Sequence, residues 1–201
     1  MNSNNSGNPI PANDVVRDTL DDALIERIAR GDASAMRVLY TRHNVRVYRF
    51  ARRLVANPTV AEEVTSEVFL DVWRKPANFE GRCQVSTWLL AVTRHKALQM
   101  LRRRPTEPLD GDICDKIADA SDDPETTIAK NQKRSILFNC LSKLSAAHRE
   151  VIDLVYYHQK TIDEVAAITG LERNTVKTRM FYARRRLAEL LGAQGIVTAT
   201  A

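Results

Sequence analysis

The chain has 201 residues, 30 Lys+Arg against 25 Asp+Glu and a formal net charge of +5; 44% of residues are hydrophobic and 27% charged. At roughly 100–200 residues per domain this allows one or two domains, and the composition is too apolar for wholesale disorder. Membrane insertion, secretion, a disulfide scaffold and a zinc site are all argued against, leaving a reducing cytoplasm as the expected location: no run approaches the roughly 18 apolar residues of a span, Met1 to Asn8 lacks a basic start, and Cys83, Cys114 and Cys140 are odd in number, with no CxxC pair and no His at ligand spacing.

Charge is distributed in blocks. Residues 1–18 hold Arg17 against Asp14 and Asp18, whereas residues 19–104 hold 16 basic and 9 acidic side chains. Residues 105–127 set Glu107, Asp110, Asp112, Asp115, Asp119, Asp122, Asp123 and Glu125 against Lys116 alone, and residues 128–201 return to 12 basic against 6 acidic. Two basic blocks separated by an acidic segment punctuated by Pro105, Pro108 and Pro124 describe two folded units on a solvated linker. Each block suits a polyanionic partner or is simply a solvated surface.

The periodicity is helical throughout, with no convincing strand. Leu24, Ile25 and Ile28 mark a short helix that Gly31 stops, and Asp32 caps the next. That second helix carries Ala35, Met36, Leu39, Tyr40, Val47, Tyr48, Ala51, Leu54 and Val55 and ends at Asn57-Pro58. Thr59 to Glu62 has the form of a capping box, predicting a third helix from there, in which Val60, Val64, Val68 and Val72 recur every four residues. Glu62, Glu63, Glu67 and Asp71 lie off the valine row and form an acidic strip, either solvated or a dock for a basic partner.

Residues 77–86 break the period, and Ser86 is predicted to cap a helix from Thr87 to about Arg104. Phe79 and Trp88 stand in or beside that loop, and Arg94, His95, Lys96 and the Arg102-Arg103-Arg104 triplet follow. Rings that stack on bases and cations that track a backbone suit single-stranded nucleic acid; core packing of the rings and a dipole role for the arginines are the plainer reading.

Downstream, Ile136, Leu137, Cys140, Leu141 and Leu144 form an amphipathic helix, Ser145 caps the next, and Val151, Ile152, Leu154 and Val155 continue its core. Thr161-Ile162-Asp163-Glu164 is a second capping box, Gly170 ends the short helix it opens, and Val176, Met180, Ala183 and Leu187 mark the inner stripe of another. A short helix, a Gly turn and a second helix is the helix-turn-helix plan. Arg173, Asn174, Thr175, Lys177, Thr178 and Arg179 cluster at the start of the second helix, where base edges are reached, and Tyr182, Arg184, Arg185 and Arg186 follow as backbone contacts.

These blocks carry a resemblance. The run Ala61-Glu62-Glu63-Val64-Thr65-Ser66-Glu67-Val68-Phe69-Leu70-Asp71-Val72-Trp73, with Phe79-Glu80-Gly81, Ser86-Thr87-Trp88-Leu89-Leu90-Ala91-Val92 and Arg102-Arg103-Arg104, resembles the second region of bacterial sigma-70-type sigma factors, most of all the extracytoplasmic-function group. Leu144-Ser145, Arg149-Glu150-Val151, Asp163-Glu164-Val165-Ala166 and Thr175-Val176-Lys177-Thr178-Arg179 resemble that group's fourth region.

The resemblance implies an all-α chain of two small helical domains: a tail over 1–18 expected to be disordered, region 2 over 19–104, a flexible acidic linker over 105–130, region 4 over 131–192 and a tail over 193–201. It implies that Glu62, Glu63, Ser66, Glu67 and Asp71 dock on the clamp helices of core RNA polymerase. Phe79, Arg82, Trp88, Arg94, His95 and Lys96 would meet the −10 promoter element, the helix-turn-helix would read the −35 element and sit on the polymerase flap, and the linker's charge would mimic nascent RNA. An anti-sigma factor is a further expected partner. Two positions depart from the family pattern: Ser66 stands where glutamine is usual and His95 where asparagine is common.

No phosphate loop, metal motif or catalytic set is present, so an enzyme, a cofactor and a metal are not expected. His43, His95, His148 and His158 are scattered and read as surface or capping residues. The alternatives to an initiation factor are a sigma-like decoy that titrates an anti-sigma factor and a plain helix-turn-helix repressor; the latter leaves the N-terminal block unexplained.

Overall fold

The computed structural model describes residues 12–103 and 135–194. Within them the chain is all helix: α1 (Ala12–Ala29), α2 (Ala33–Val55), α3 (Pro58–Arg74), a 3₁₀ turn (Pro76–Asn78) and α4 (Val85–Arg103), then α5 (135–142), α6 (Ala146–Ile152), a π-helical turn (Asp153–Tyr157), α7 (Ile162–Thr169) and α8 (Arg173–Gly192). The expected acidic linker lies outside the described residues.

The elements begin and end for identifiable reasons. Gly31, at φ +84°, stops α1, and the Asp32 carboxylate accepts from the N–H groups of Ser34 (2.8 Å) and Ala35 (3.2 Å) to start α2. Arg27 donates to the same carboxylate at 2.9 and 2.7 Å, and these bonds from Ser34 and Arg27 hold Asp32 well below the usual carboxylate range.

Three expectations are corrected here. Helix α3 starts at Pro58, with Asn57 as its cap (Val60 N–H to Oδ1, 3.1 Å); Thr59 is inside the helix, because proline suits a first helical position whose N–H needs no partner. Helix α4 starts at Val85 on the Gln84 carbonyl, which accepts from Thr87 and Trp88 (3.0 Å each), so Ser86 is a buried first-turn residue rather than the cap. Helix α1 begins at Ala12, inside the segment expected as a disordered tail; no Gly or Pro interrupts the chain between Pro11 and Gly31.

Helices α1 to α4 enclose one core, built from Leu39, Val47, Val64, Val68, Val72, Leu89 and Ala97. The valine row of α3 is fully buried from Val64 onward, each residue contributing roughly 1.5–3 kcal/mol. Helices α6 to α8 enclose a second core, in which Val151, Leu154, Val165, Ile168, Val176, Met180 and Ala183 meet Phe50 of α2 and Leu90 of α4. The two halves therefore share buried side chains.

Two histidines are not surface residues. His43 is buried, its Nε2 2.6 Å from Asp21, which also pairs with Arg42; burial raises the Asp21 pKa, and the bonds and charges of His43 and Arg42 outweigh it, so the carboxyl titrates below its usual value. This triad ties α1 to α2. Removing the carboxylate leaves the buried His43 ring nitrogen and the Arg42 guanidinium without their shared partner, so Asp21→Ala should cost about 3 kcal/mol, read as a lower urea midpoint with unchanged helicity at pH 7.

Candidate nucleic-acid interface

The helix-turn-helix is assembled from local chemistry. Thr161 Oγ1 accepts from the Glu164 N–H (3.3 Å) while Glu164 Oε2 accepts from the Thr161 N–H (2.9 Å), closing the capping box that opens α7. Gly170, at φ +70°, ends α7 in the left-handed conformation, and buried Val176, Met180 and Ala183 seat α8 against the core. The opposite face of α8 is thereby turned outward.

On that outward side Arg173, Asn174, Thr175, Lys177 and Thr178 are exposed and Arg179 is half-buried. Arg173 Nε lies 3.1 Å from Asp163, and Arg185 and Arg186 share Glu189 at 3.3 and 3.0 Å, so those three cations are partly neutralised. Lys177 and Arg179 pair with no carboxylate among the described residues. Tyr182 is 52% exposed beside Phe181 at 62%, with ring centroids 5.4 Å apart. Phe181 was not legible as a surface residue, because an aromatic in a helix ordinarily reads as core. Arg184 lies over the exposed Tyr156 ring at 5.5 Å.

In the N-terminal half the candidate residues separate. Glu62 and Ser66 are exposed on α3 and Glu63 is half-buried. Beside them Tyr40 packs its ring on Phe69 (4.8 Å), and Tyr40, Leu70 and Trp73 are partly exposed, an apolar border to the acidic strip that periodicity did not reveal. Glu67 and Asp71 turn toward α4, where Lys96 Nζ meets them at 3.4 and 2.7 Å. Burial lowers the Lys96 pKa, but bonds to Asp71 and Glu67 outweigh it and hold the ammonium above its usual value. A −10 candidate and two polymerase candidates thus bind one another.

Phe79 packs on Trp88 at 5.3 Å, both against the core, while Arg82 is exposed and paired with Glu80 at 2.8 Å. His95 is exposed on α4. Arg94 is not free: its Nε donates to Glu150 of α6 at 2.7 Å.

The contact between halves is polar as well as apolar. Lys160 Nζ, on a side chain 4% exposed, donates to Ser86 Oγ (2.9 Å), Thr87 Oγ1 (2.8 Å), Gln84 Oε1 (3.1 Å) and Glu164 Oε1 (2.8 Å). Thr87 Oγ1 in turn donates to Glu164 Oε1 at 2.6 Å. Burial raises the Glu164 pKa, and the bonds from Lys160 and Thr87 outweigh it, keeping the carboxylate ionised. Arg53 of α2 pairs with buried Asp153 and lies 3.8 Å over the Tyr157 ring. None of these partners was predicted.

Comparison with known proteins follows the same division. The family description "Sigma-70 region 2" matches residues 39–106 and "Sigma-70, region 4" matches residues 140–189. The ECF RNA polymerase sigma factor SigK of Mycolicibacterium vanbaalenii is 30% identical over 176 residues, covering 85% of this chain and 89% of its own. The chain belongs to the extracytoplasmic-function sigma factors. SigK of Mycobacterium ulcerans is 29% identical over 175 residues, covering 85% and 93%. CnrH, solved in complex with the cytosolic domain of CnrY, superposes with a TM-score of 0.62 at 25% identity, covering 86% of this chain and 97% of that one. The sigma factor RpoE of Bartonella quintana, solved with the anti-sigma factor NepR, shares the fold with a TM-score of 0.60 at 23% identity, covering 76% and 94%.

As a sigma factor the chain is an initiation subunit of RNA polymerase and not itself an enzyme. Among the described residues no helix of this sigma factor is long and apolar enough to cross a membrane.

One titration marks the contact between regions 2 and 4. His158 is buried, edge-on to Phe50 at 5.3 Å, and its pKa falls to about 3: burial disfavours the cation, and Arg53, Arg46, Lys160 and Arg49 repel it, although Asp153 lies 3.4 Å away. A depressed histidine pKa means stability present above the unfolded value of about 6.5 and lost as pH falls below it. Between pH 7 and pH 5 the protein should therefore lose about 2 kcal/mol through His158, above the range where Asp21 and Glu164 titrate. Urea midpoints at pH 7, 6 and 5 should fall for the wild type and stay nearly level for His158→Gln.

Proposed function

We propose that this sigma factor directs core RNA polymerase to a small set of promoters, reading the −35 element with α8 and capturing the opened −10 element with the loop and helix from Phe79 to Lys96. The observation that carries this reading is the outer face of α8. Among the described residues Lys177 and Arg179 have no carboxylate partner there, flanked by Asn174, Thr175 and Thr178, on a helix whose opposite face is anchored in the core. Cations left unpaired at the start of a recognition helix are what phosphates and base edges require.

The acidic strip of α3, with Glu62 and Ser66 exposed and Glu63 half-buried, is the proposed dock for the polymerase clamp, and region 4 is the proposed partner of the flap. Glu67 and Asp71, committed to Lys96, act on that dock by setting the pose of α3 against α4. Serine at position 66 offers a shorter polar contact than glutamine, so Glu62 and Glu63 carry more of the interaction. Free chain would be restrained by an anti-sigma factor, as the complexes of CnrH and of the Bartonella sigma factor suggest by analogy.

In vitro transcription on genomic fragments, with core polymerase and with or without this protein, tests the reading. Discrete new 5′ ends sharing two upstream elements are the expected result; stable binding to core without new starts would favour a decoy. Lys177→Ala and Arg179→Ala should each lower promoter-specific transcription about tenfold, the equivalent of one lost phosphate or base contact, while binding to core is unchanged. Charge reversal of the exposed Glu62 to Lys should instead weaken holoenzyme formation several-fold in a titration, with melting temperature preserved.

A further inference from the structure

Thr87, Leu90, Ala91 and Arg94 recur at helical spacing and so lie along one face of α4. In this structure that face is covered by the chain's own region 4. Leu90 is fully buried in the second core with Ala91 packed beside it, Thr87 is bonded to Glu164, and Arg94 is bonded to Glu150, whose side chain is 9% exposed. The −10 candidate Arg94 is thus occupied, whereas Asn174, Thr178, Tyr182 and Arg185 on α8 remain exposed.

The cover is aimed rather than incidental. After the π-helical turn, Gln159 takes a left-handed φ of +55°, which costs a non-glycine residue, and the Lys160 N–H donates to the Leu154 carbonyl at 2.9 Å. That backbone path delivers the Lys160 ammonium to Gln84, Ser86 and Thr87 at the start of α4. A second cross-pair joins Arg94 to Glu150 and a third joins Arg53 to Asp153. Desolvated pairs of this kind fix one arrangement more than they stabilise it, since each group regains water on separation. The contact thus joins apolar burial of Phe50 and Leu90 to directional polar pairs that set its register.

We propose that region 4 is an intramolecular cover for the face of α4 that carries the −10 candidate Arg94. The Lys160 cage and the Arg94–Glu150 pair hold a closed form whose α8 can meet duplex DNA, and only the opened form frees Arg94 for single-stranded DNA. The proposal rests on the reading above that Phe79 to Lys96 is the −10 surface.

The test uses the full chain without polymerase, with two readouts: radius of gyration by small-angle X-ray scattering, and binding of a fluorescein-labelled, mixed-sequence 20-nucleotide single strand. Lys160→Met keeps the aliphatic stem and removes the donors; Glu150→Arg turns the pair with Arg94 into a repulsion. Both should raise the radius of gyration and tighten single-strand binding about fivefold, as when an open fraction rises from roughly a tenth to about half. The double exchange Glu150→Arg with Arg94→Glu should restore the compact radius, which separates loss of the latch from loss of folding. An unchanged radius in both single variants, or a larger radius with no gain in single-strand binding, overturns the proposal. Failure of wild-type protein to direct transcription with core polymerase would instead overturn the promoter reading, whatever the radius.

Discussion

Helix α4 buries Leu89 and Ala97 against α2 and α3, and Leu90 against α6 and α7, so it must be covered on two sides. The rest of the arrangement follows from that requirement. The first cover is mainly apolar, because α2 and α3 meet α4 through fully buried Val64, Val68 and Val72, with Lys96, Glu67 and Asp71 pairing beside that row. The second is interleaved with charge: Lys160, Glu164, Arg94, Glu150, Arg53 and Asp153 all lie where regions 2 and 4 meet. The second cover thus adds ion pairs that set its orientation to the apolar burial of Phe50 and Leu90.

The same contrast divides the cations of the chain. Lys96 and Arg94 sit one turn or less apart on α4, yet Lys96 is satisfied by Glu67 and Asp71 inside region 2, while Arg94 reaches across to Glu150. Lys96 therefore keeps its partners whichever way region 4 sits, and Arg94 gains a vacancy only when region 4 leaves. On α8 the order is reversed. There Arg173 pairs with Asp163 at the turn, Lys177 and Arg179 have no carboxylate partner among the described residues, and Arg185 and Arg186 share Glu189 farther along. A surface meant for phosphate is poorly served by carboxylates, and the first two turns of α8 hold none after the N-cap Glu172.

Much of this was legible before any coordinates. Thr161, Glu164 and Gly170 act within a few residues of one another, and local chemistry of that kind is written in the sequence. The helices and the inner stripe of α8 were read from the same local periods, and the division into two units from the alternation of basic and acidic blocks. Illegible were features that depend on partners far along the chain. His43 is buried because Asp21 on another helix receives it, and His158 because Phe50 of region 2 closes over it. Ser86 looks like a cap to its neighbours but spends its hydroxyl on Lys160, 74 residues away. Asn57 and Thr59 are both competent caps, and only Pro58 between them decides the matter.

Lys160 shows why a buried charge in a small helical protein carries information. A hydrophobic residue there would pack on α4 in any register, since Leu90 and Ala91 offer a smooth apolar face. The three N–H groups of the ammonium instead meet four acceptors from two parts of the chain, Gln84, Ser86 and Thr87 on one side and Glu164 on the other, and this ties their contact to one pose of region 4. Glu164 already closes the capping box of α7 through its other oxygen, so the residue that starts the helix-turn-helix also fixes where that motif sits on region 2. Promoter reading and domain placement are thereby joined at one carboxylate, and a change that loosens α7 at its N-terminus loosens the cover on α4 as well.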